Sequence, residues 1–420
     1  MESPRLRESI LGEVLDCLYG WCAVAKPRSR IAFLKHFESL PDPRVVGRSA
    51  HLLLDIVGIT ICAVICGADS WEQVETYGKD HHDFMKTLFA LPKGIPSHDT
   101  FNRVFRYLDA EAFGQCFADW INALSEKLHL KPVRWHAAID GKTARHSFDF
   151  GSPSSALHLL TAWASDNGFT LGQMAVDGKS NEITGIPKLL EILHLEGAIV
   201  TIDAIGCQKK IAEKIREKKA DYILAVKENH PHLYEDIKQL FEKHAENPGP
   251  ASSYSRHEEP SKGHGRKEIR TCIVLSDLKD IRDLSEWKDA KRVALVLRQC
   301  WEGGKYSEEV RYFLGSYEGP ATEYLTYSRK HWGIENGQHY VLDVTFREDD
   351  NRTRKDHGPT NLALIRRIAL SLLHQEKSTK MTTPTKRLHA CGNDDYLLSI
   401  LGGLEDLSPI NISENVGRSL

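Results

Sequence analysis

The chain has 420 residues, 41% of them hydrophobic and 27% charged, with 55 lysines and arginines against 58 acids for a net charge of −3. Such a composition excludes a disordered chain and predicts a folded protein of two or three domains. A nucleic-acid binder usually carries a basic excess, so the global charge counts mildly against one. Charge is unevenly spread, however: between Lys209 and Glu228 seven lysines and arginines face four acids, and local patches steer ligands where averages do not.

The opening MESPRLRESILGEVLDCLYG mixes acids with bases and has no clean apolar run, so it does not read as a signal peptide. The first 30 or so residues predict a helix and a basic linker, a tail ahead of the first domain. Leu52–Cys66 is the most apolar stretch, but Asp55 interrupts it and it falls short of the about 20 residues a membrane span needs. It predicts a buried helix and no membrane attachment. Nine cysteines, at 17, 22, 62, 66, 116, 207, 272, 300 and 391, form no Cys-x-x-Cys pair. Zinc-ribbon and disulfide-scaffold readings therefore fail, leaving reduced thiols and a cytoplasmic location.

Residues 31–126 predict a helical N-terminal domain. Ser70 and Gln73 have capping-box spacing. Phe101, Val104, Phe105 and Leu108 make one apolar stripe, with Asn102, Arg103 and Arg106 on the opposite face. That polar face is an ordinary solvated surface or a DNA-reading helix, and spacing alone favours the former. From about 132 the pattern becomes that of strands. VRWHAAID predicts a strand ending at Asp140, and LHLLTAWASDNGFTLGQMAV predicts a hairpin turning at Asp166-Asn167-Gly168. Pro187 is placed to open a helix. A strand ending at Asp203, a helix over Lys209–Lys218 and the strand DYILAVK follow. This order predicts an α/β fold with a mixed sheet flanked by helices. Residues 245–318 begin polar and continue in β-rich runs, which predicts an inserted β subdomain attached between the last core strand and the helical segment holding Glu335. Residues 376–420 read as a C-terminal tail.

Asp140 and Asp203 end the first and fourth strands, which commonly lie side by side in such a sheet, and Glu335 follows 132 residues after Asp203. Carboxylates are hard ligands suited to Mg2+ or Mn2+, and two ions shared among three acids can activate a water and stabilise a leaving phosphodiester oxygen. The competing structural account makes Asp203 a helix N-cap and Glu335 a solvated helix residue.

The segments AAIDGKTAR, DGKSNEITGIP, GAIVTIDAIGCQKKIAEKIREKKADYILAVKENHPHLY and HWGIENGQHYVLDVTFREDDNRTRK resemble insertion-sequence transposases of the DDE type. The group most resembled is the bacterial one that includes the H-repeat-associated proteins. PDPRVVGRSAHLLLDI and LPKGIPSHDTFNRVF resemble that group's N-terminal associated domain, so the likeness runs from about 31 to 375. The resemblance implies a ribonuclease-H-like catalytic domain over 132–375 and a two-ion Mg2+ or Mn2+ site on Asp140, Asp203 and Glu335. It also implies cleavage of transposon ends and transfer of the freed 3′-hydroxyl into target DNA. Its partners would be double-stranded DNA and, in the DNA complex, a second copy of the chain. Alternatives are a metal-dependent nuclease that cuts without joining and a non-catalytic DNA-binding regulator.

Many relatives carry arginine four residues before the glutamate and lysine seven after it; here those positions hold His331 and Leu342, with Arg329 and Lys330 out of register. The expected DNA contacts are Lys142, Lys209, Lys210, Arg266, Lys267, Arg329, Lys330, His339, Arg352, Arg354 and Lys355. For each the ordinary alternative is a surface charge or, for His339, a satisfied structural histidine. His339 and Asp343 would share the face of Glu335 on a continuous helix. Trp332 is a base-stacking candidate or a core residue, and Asn181 and Glu182 are candidates for helix capping or for supporting the acids.

Overall fold

The structure is a computed structural model that describes residues 31–402 apart from 46, 48, 128–133, 148–155, 177, 179–180 and 264. The predicted N-terminal tail lies outside the described residues. The first helices are α1 (Leu53–Ile65), α2 (Trp71–Asp80), α3 (His82–Leu88), α4 (His98–Tyr107) and α5 (Ala110–Lys127). The apolar run is a buried helix, as its length predicts, and Asp55 inside it is satisfied by the Leu91 N–H at 3.0 Å. Ser70 and Gln73 close the capping box at the start of α2. The α4 stripe of Phe101, Val104 and Phe105 is buried, while Arg106 on the other face is held by Asp356 at 2.6 Å.

The central strands are β1 (Trp135–Thr143), β2 (His158–Ala164), β3 (Phe169–Val176), β4 (Ala198–Ile202) and β5 (Asp221–Val226). Between them lie α6 (Glu182–Ile192) and α7 (Lys209–Glu217). The β2–β3 hairpin turns at Gly168, whose φ of +70° suits glycine. β1 is antiparallel to β2 and parallel to β4, and β4 is parallel to β5. Two boundaries differ from expectation. β1 continues past Asp140 to Thr143, because β2 goes on supplying hydrogen bonds after β4 has stopped. The helix at Pro187 starts five residues earlier, at Glu182, whose carboxylate is anchored by buried His158 at 2.7 Å.

After α8 (Pro231–Glu246) come β6 (Tyr254–Gly263), β7 (Arg266–Leu275), β8 (Arg292–Glu302) and β9 (Lys305–Gly315). The region is β-rich, as read. It is not a separate appendage: β9 pairs antiparallel with β5, so all nine strands form one sheet in the order β3-β2-β1-β4-β5-β9-β8-β7-β6. The free edge of β5 would otherwise expose a row of unpaired N–H and C=O groups, and β9 takes them.

One sheet face carries α9 (Ala321–His331), packed on Ile199, Ile223, Val296 and Phe313. On the other side a single apolar core joins α6, α7 and α8 to the N-terminal helices and to α11 (Gly358–Gln375), which follows the short α10 (Tyr340–Val344). Asn361 of α11 donates to the Phe105 and Leu108 carbonyls at 2.8 Å, satisfying the C-terminal end of α4. The expected tail is corrected over 376–402: α12 (Thr383–Gly392) and α13 (Asp394–Gly402) pack with Leu397 and Ile400 buried. Arg387 of α12 donates to the Val64 carbonyl at the end of α1 at 3.0 Å. A buried guanidinium capping an orphan helix end binds that segment to the domain.

Candidate active site

The parallel register Ile139↔Ile202 brings Asp140 and Asp203 next to each other where β4 ends. Alternation puts Asp140 on the same sheet face as Ala138, and Ile334 packs there against Ala138 and Trp163. Buried Ile334 thereby pins its neighbour Glu335 above the two aspartates. Glu335 opens a π-helical turn, Glu335–His339, in which the Tyr340 N–H reaches the Glu335 carbonyl. Such single wide turns recur at functional sites because they re-aim side chains within a helix.

Asp203 caps the turn that follows β4 and also faces a cavity. Its Oδ1 accepts the Ile205 N–H at 3.1 Å, capping the turn Ala204–Gly206, and its carboxylate lines a cavity of about 870 Å3 with Glu335, Lys227, Arg311, His331 and Trp332. Burial, followed by the negative charges of Asp203, Glu335 and Glu182, pushes the Asp140 carboxyl up to about 7 from the usual 3.8. Burial and Glu182 also raise Asp203, against the pull of backbone N–H groups and Lys227.

Glu182 is the acid whose role the sequence leaves vague. It lies on the sheet face opposite Asp140, buried, beneath Gly141 and bonded to His158. A Cβ on Gly141 would sit 2.5 Å from Glu182 Oε1 and 2.6 Å from His158 Nε2. The glycine after Asp140 is thus required by the pair beneath it. Asp-Gly in a strand was the available signal, since glycine there marks a close approach.

Several expected DNA contacts are placed otherwise. Lys142 is buried and held by Asp343 at 2.6 Å, Asp349 at 3.2 Å and Glu348 at 3.3 Å, so it is neither a phosphate contact nor a surface lysine. Burial opposes its charge, yet these acids hold its pKa above the ordinary lysine value. Arg367 joins the same cluster at 2.7 Å from Glu348, whose pKa falls to about 2 despite burial. His339 points inward, Nδ1 3.6 Å from Asp140 Oδ2, and burial with the charges of Arg367 and Lys142 drives it down to about 3. It is a neutral neighbour of Asp140 rather than a DNA contact. The π turn adds a residue to the helix, so Glu335, His339 and Asp343 do not stack as a regular i, i+4, i+8 row.

The remaining basic candidates are at the surface. Lys210, Arg352 and Lys355 are exposed. Lys209 pairs with Glu286, Arg329 with Glu259 and Lys330 with Asp166. Arg266 lies 3.2 Å from Glu268, Lys267 stands over the Trp301 ring, and Arg354 donates to the His146 carbonyl. The exposed pairs of Lys209, Arg329 and Lys330 contribute about 0–1 kcal/mol each, so a phosphate can replace them. Trp332 is exposed, under the Arg311 guanidinium 4.5 Å from its ring centre.

His331 is tied through Thr201 to His136, each contact 2.9 Å, and burial with the charge of Arg311 lowers it to about 4. Leu342 is fully buried. Neither supplies the cation that the family resemblance leads one to expect at these positions; Arg311, arriving from β9, brings a guanidinium to the same cavity.

Hard-oxygen donors crowded until one resists ionisation suit a divalent cation. Among the described residues, no group of three or more His, Cys, Asp or Glu is already gathered closely enough to chelate one. Also among them, no helix is long and apolar enough to cross a membrane, and all seven described cysteines are free.

Two family descriptions match the chain: DDE_Tnp_1-associated over residues 34–121 and Transposase DDE domain over 131–372. Putative transposase YncI of Escherichia coli O157:H7 is 38% identical over 381 residues, covering 90% of this chain and 96% of that protein. H repeat-associated putative transposase YhhI of E. coli K12 is 38% identical over 375 residues, 88% and 97% of the two chains. Among solved structures, a piggyBac transposase synaptic complex with hairpin DNA aligns over 89% of this chain and 80% of that one, at 12% identity and a TM-score of 0.38. With a mixed sheet that sets two aspartates side by side below a helical glutamate, and with family matches over both its helical and its sheet portions, the chain belongs to the DDE transposases.

Proposed function

We propose that this protein cuts DNA at transposon ends and transfers the freed 3′-hydroxyl into target DNA, using Asp140, Asp203 and Glu335 as ligands for two Mg2+ or Mn2+ ions. The observation that carries the reading is geometric: Asp140 and Asp203 adjoin where paired parallel strands end, and Glu335 lines the same cavity as Asp203. Bound divalent ions would supply the Lewis acidity that activates the attacking oxygen and stabilises the leaving one.

The chain's own residues do the positioning. Asp140 and Asp203 are fixed by adjacent parallel strands, which hold ligands more rigidly than loops do. Glu335 is exposed on its π turn and anchored there by its buried neighbour Ile334. Neutral His339 stands 3.6 Å from the Asp140 carboxylate and adds no competing positive charge. Lys227 and Arg311 line the cavity where the scissile phosphate would lie and offset its charge. The exposed Lys210, Arg352 and Lys355 would hold phosphates further out, and a second copy of the chain would serve the other transposon end.

The test uses supercoiled plasmid carrying the coding region with its flanking DNA, incubated with Mg2+ or with EDTA. Metal-dependent nicking followed by joined products supports the reading, and Asp203→Asn and Glu335→Gln should abolish both while leaving DNA binding in place. Nicking without joining would favour the nuclease, and binding without nicking the regulator. Activity retained in Asp203→Asn would refute the site.

A further inference from the structure

Beyond the carboxylates, on the same sheet face as α9 and along its flank, lies a groove of about 510 Å3. Its walls carry Arg266 and Arg270 of β7, Arg298 of β8, Arg311 of β9 and Arg329 of α9, with Glu268 and Glu309 as the acids. Five positive charges against two negative leave +3 on a protein whose net charge is −3. The row is set by register. Arg270 sits directly opposite Arg298 across the β7–β8 ladder, and Arg298 opposite Glu309 on β9.

Like charges facing each other across a sheet are destabilising, and here a single acid holds them together. Glu268, buried, takes ion pairs from Arg266, Arg270 and Arg298 at once. Each guanidinium has five N–H donors, so one carboxylate leaves most of them unspent. Arg311, Glu309, Phe313, Ser328 and Trp332 line both this groove and the cavity holding Asp203 and Glu335, so the two are continuous.

Resting on the DNA-cutting reading above, we propose that this arginine row is the track for the phosphate backbone of the duplex being cut, with Glu268 as an internal stand-in that DNA phosphates displace. The duplex being cut, rather than the target, is the occupant because the groove opens beside Trp332, one helical turn before Glu335. Phosphates seated there adjoin the scissile bond on the same strand path.

The test measures anisotropy of a short fluorescein-labelled duplex of arbitrary sequence against salt, using the full chain. Arg270→Gln with Arg298→Gln removes the like-charge contact, leaves Arg266 paired with Glu268 and keeps amide donors beside it, with a denaturant melt confirming the fold. This double variant is expected to weaken binding roughly tenfold and to flatten the log–log salt slope by about 1.8, at about 0.9 per phosphate contact. Glu268→Gln should act oppositely, tightening binding several-fold by removing the competing anion, an effect a merely structural acid would not give. If the wild type binds with a steep slope and the arginine pair leaves it unchanged, the track is refuted while the transposase reading stands. If the wild type binds no duplex, that reading fails as well. Single-turnover cutting without target DNA assigns the occupant: it should fall with the arginine pair, and unchanged cutting with impaired joining would overturn the assignment in favour of target DNA.

Discussion

Replacing Asp140 with asparagine should stabilise the metal-free protein at alkaline pH while destroying its chemistry. The folded state holds this carboxyl at about 7, against the usual 3.8. Between those values the folded chain binds more protons than the unfolded one, so stability falls as pH rises through the interval and the penalty is complete above 7. A difference of about 3 pK units corresponds to about 4 kcal/mol at pH 8 and to under about 1 kcal/mol at pH 4. For a chain this long the unfolding entropy is large, so the expected rise in Tm is only about 3–5 °C. The assay is thermal unfolding of wild type and Asp140→Asn in EDTA at pH 8 and pH 4. The variant should gain at pH 8 and differ little at pH 4, and Mg2+ should stabilise the wild type more than the variant, because bound cation relieves the same repulsion. Equal Tm values at pH 8, or a loss at both pH values, would refute the claim that the carboxylates are crowded at a cost.

Gly141→Ala should destabilise by about 1–3 kcal/mol and lower cutting, because the new methyl group meets the Glu182–His158 pair; denaturant melts and the nicking assay read both. Lys142→Met leaves Asp343, Glu348 and Asp349 without their shared cation, so it should cost about 3–5 kcal/mol. It should also leave the salt slope of DNA binding unchanged, and a flatter slope in a well-folded Lys142→Met would restore it as a phosphate contact. Arg352→Ala with Lys355→Ala should weaken binding to all duplex sequences alike and reduce the slope by about 2, with no change in Tm. Glu376, held at about 2 by Ser378, Tyr396 and Lys386 despite burial, contributes stability that is present above the usual glutamate pKa and lost as pH falls toward 2. Glu376→Gln should therefore cost stability at pH 7 and little at pH 2, in a melt of the full chain.

The sequence by itself determined the features whose causes are local. The apolar run around Asp55, the Ser70–Gln73 box, the stripe on α4 and the turn at Gly168 depend on near neighbours along the chain, and each stands where its pattern puts it. The two aspartates were legible because a carboxylate at the end of an apolar run breaks the composition of its surroundings, and strand order places β1 beside β4. Which charges meet was decided only by the tertiary structure. Lys142 and Arg270 look alike in sequence, yet one is enclosed by acids that follow it by some 200 residues and the other faces Arg298 in an open groove. Glu182 reaches its place only because Gly141 leaves room for it on an adjoining strand. The β-rich insert shows the same division: its strands were readable from their own residues, but their joining to β5 was not. A free strand edge accepts any partner of suitable length, and packing on both faces of the completed sheet selects one.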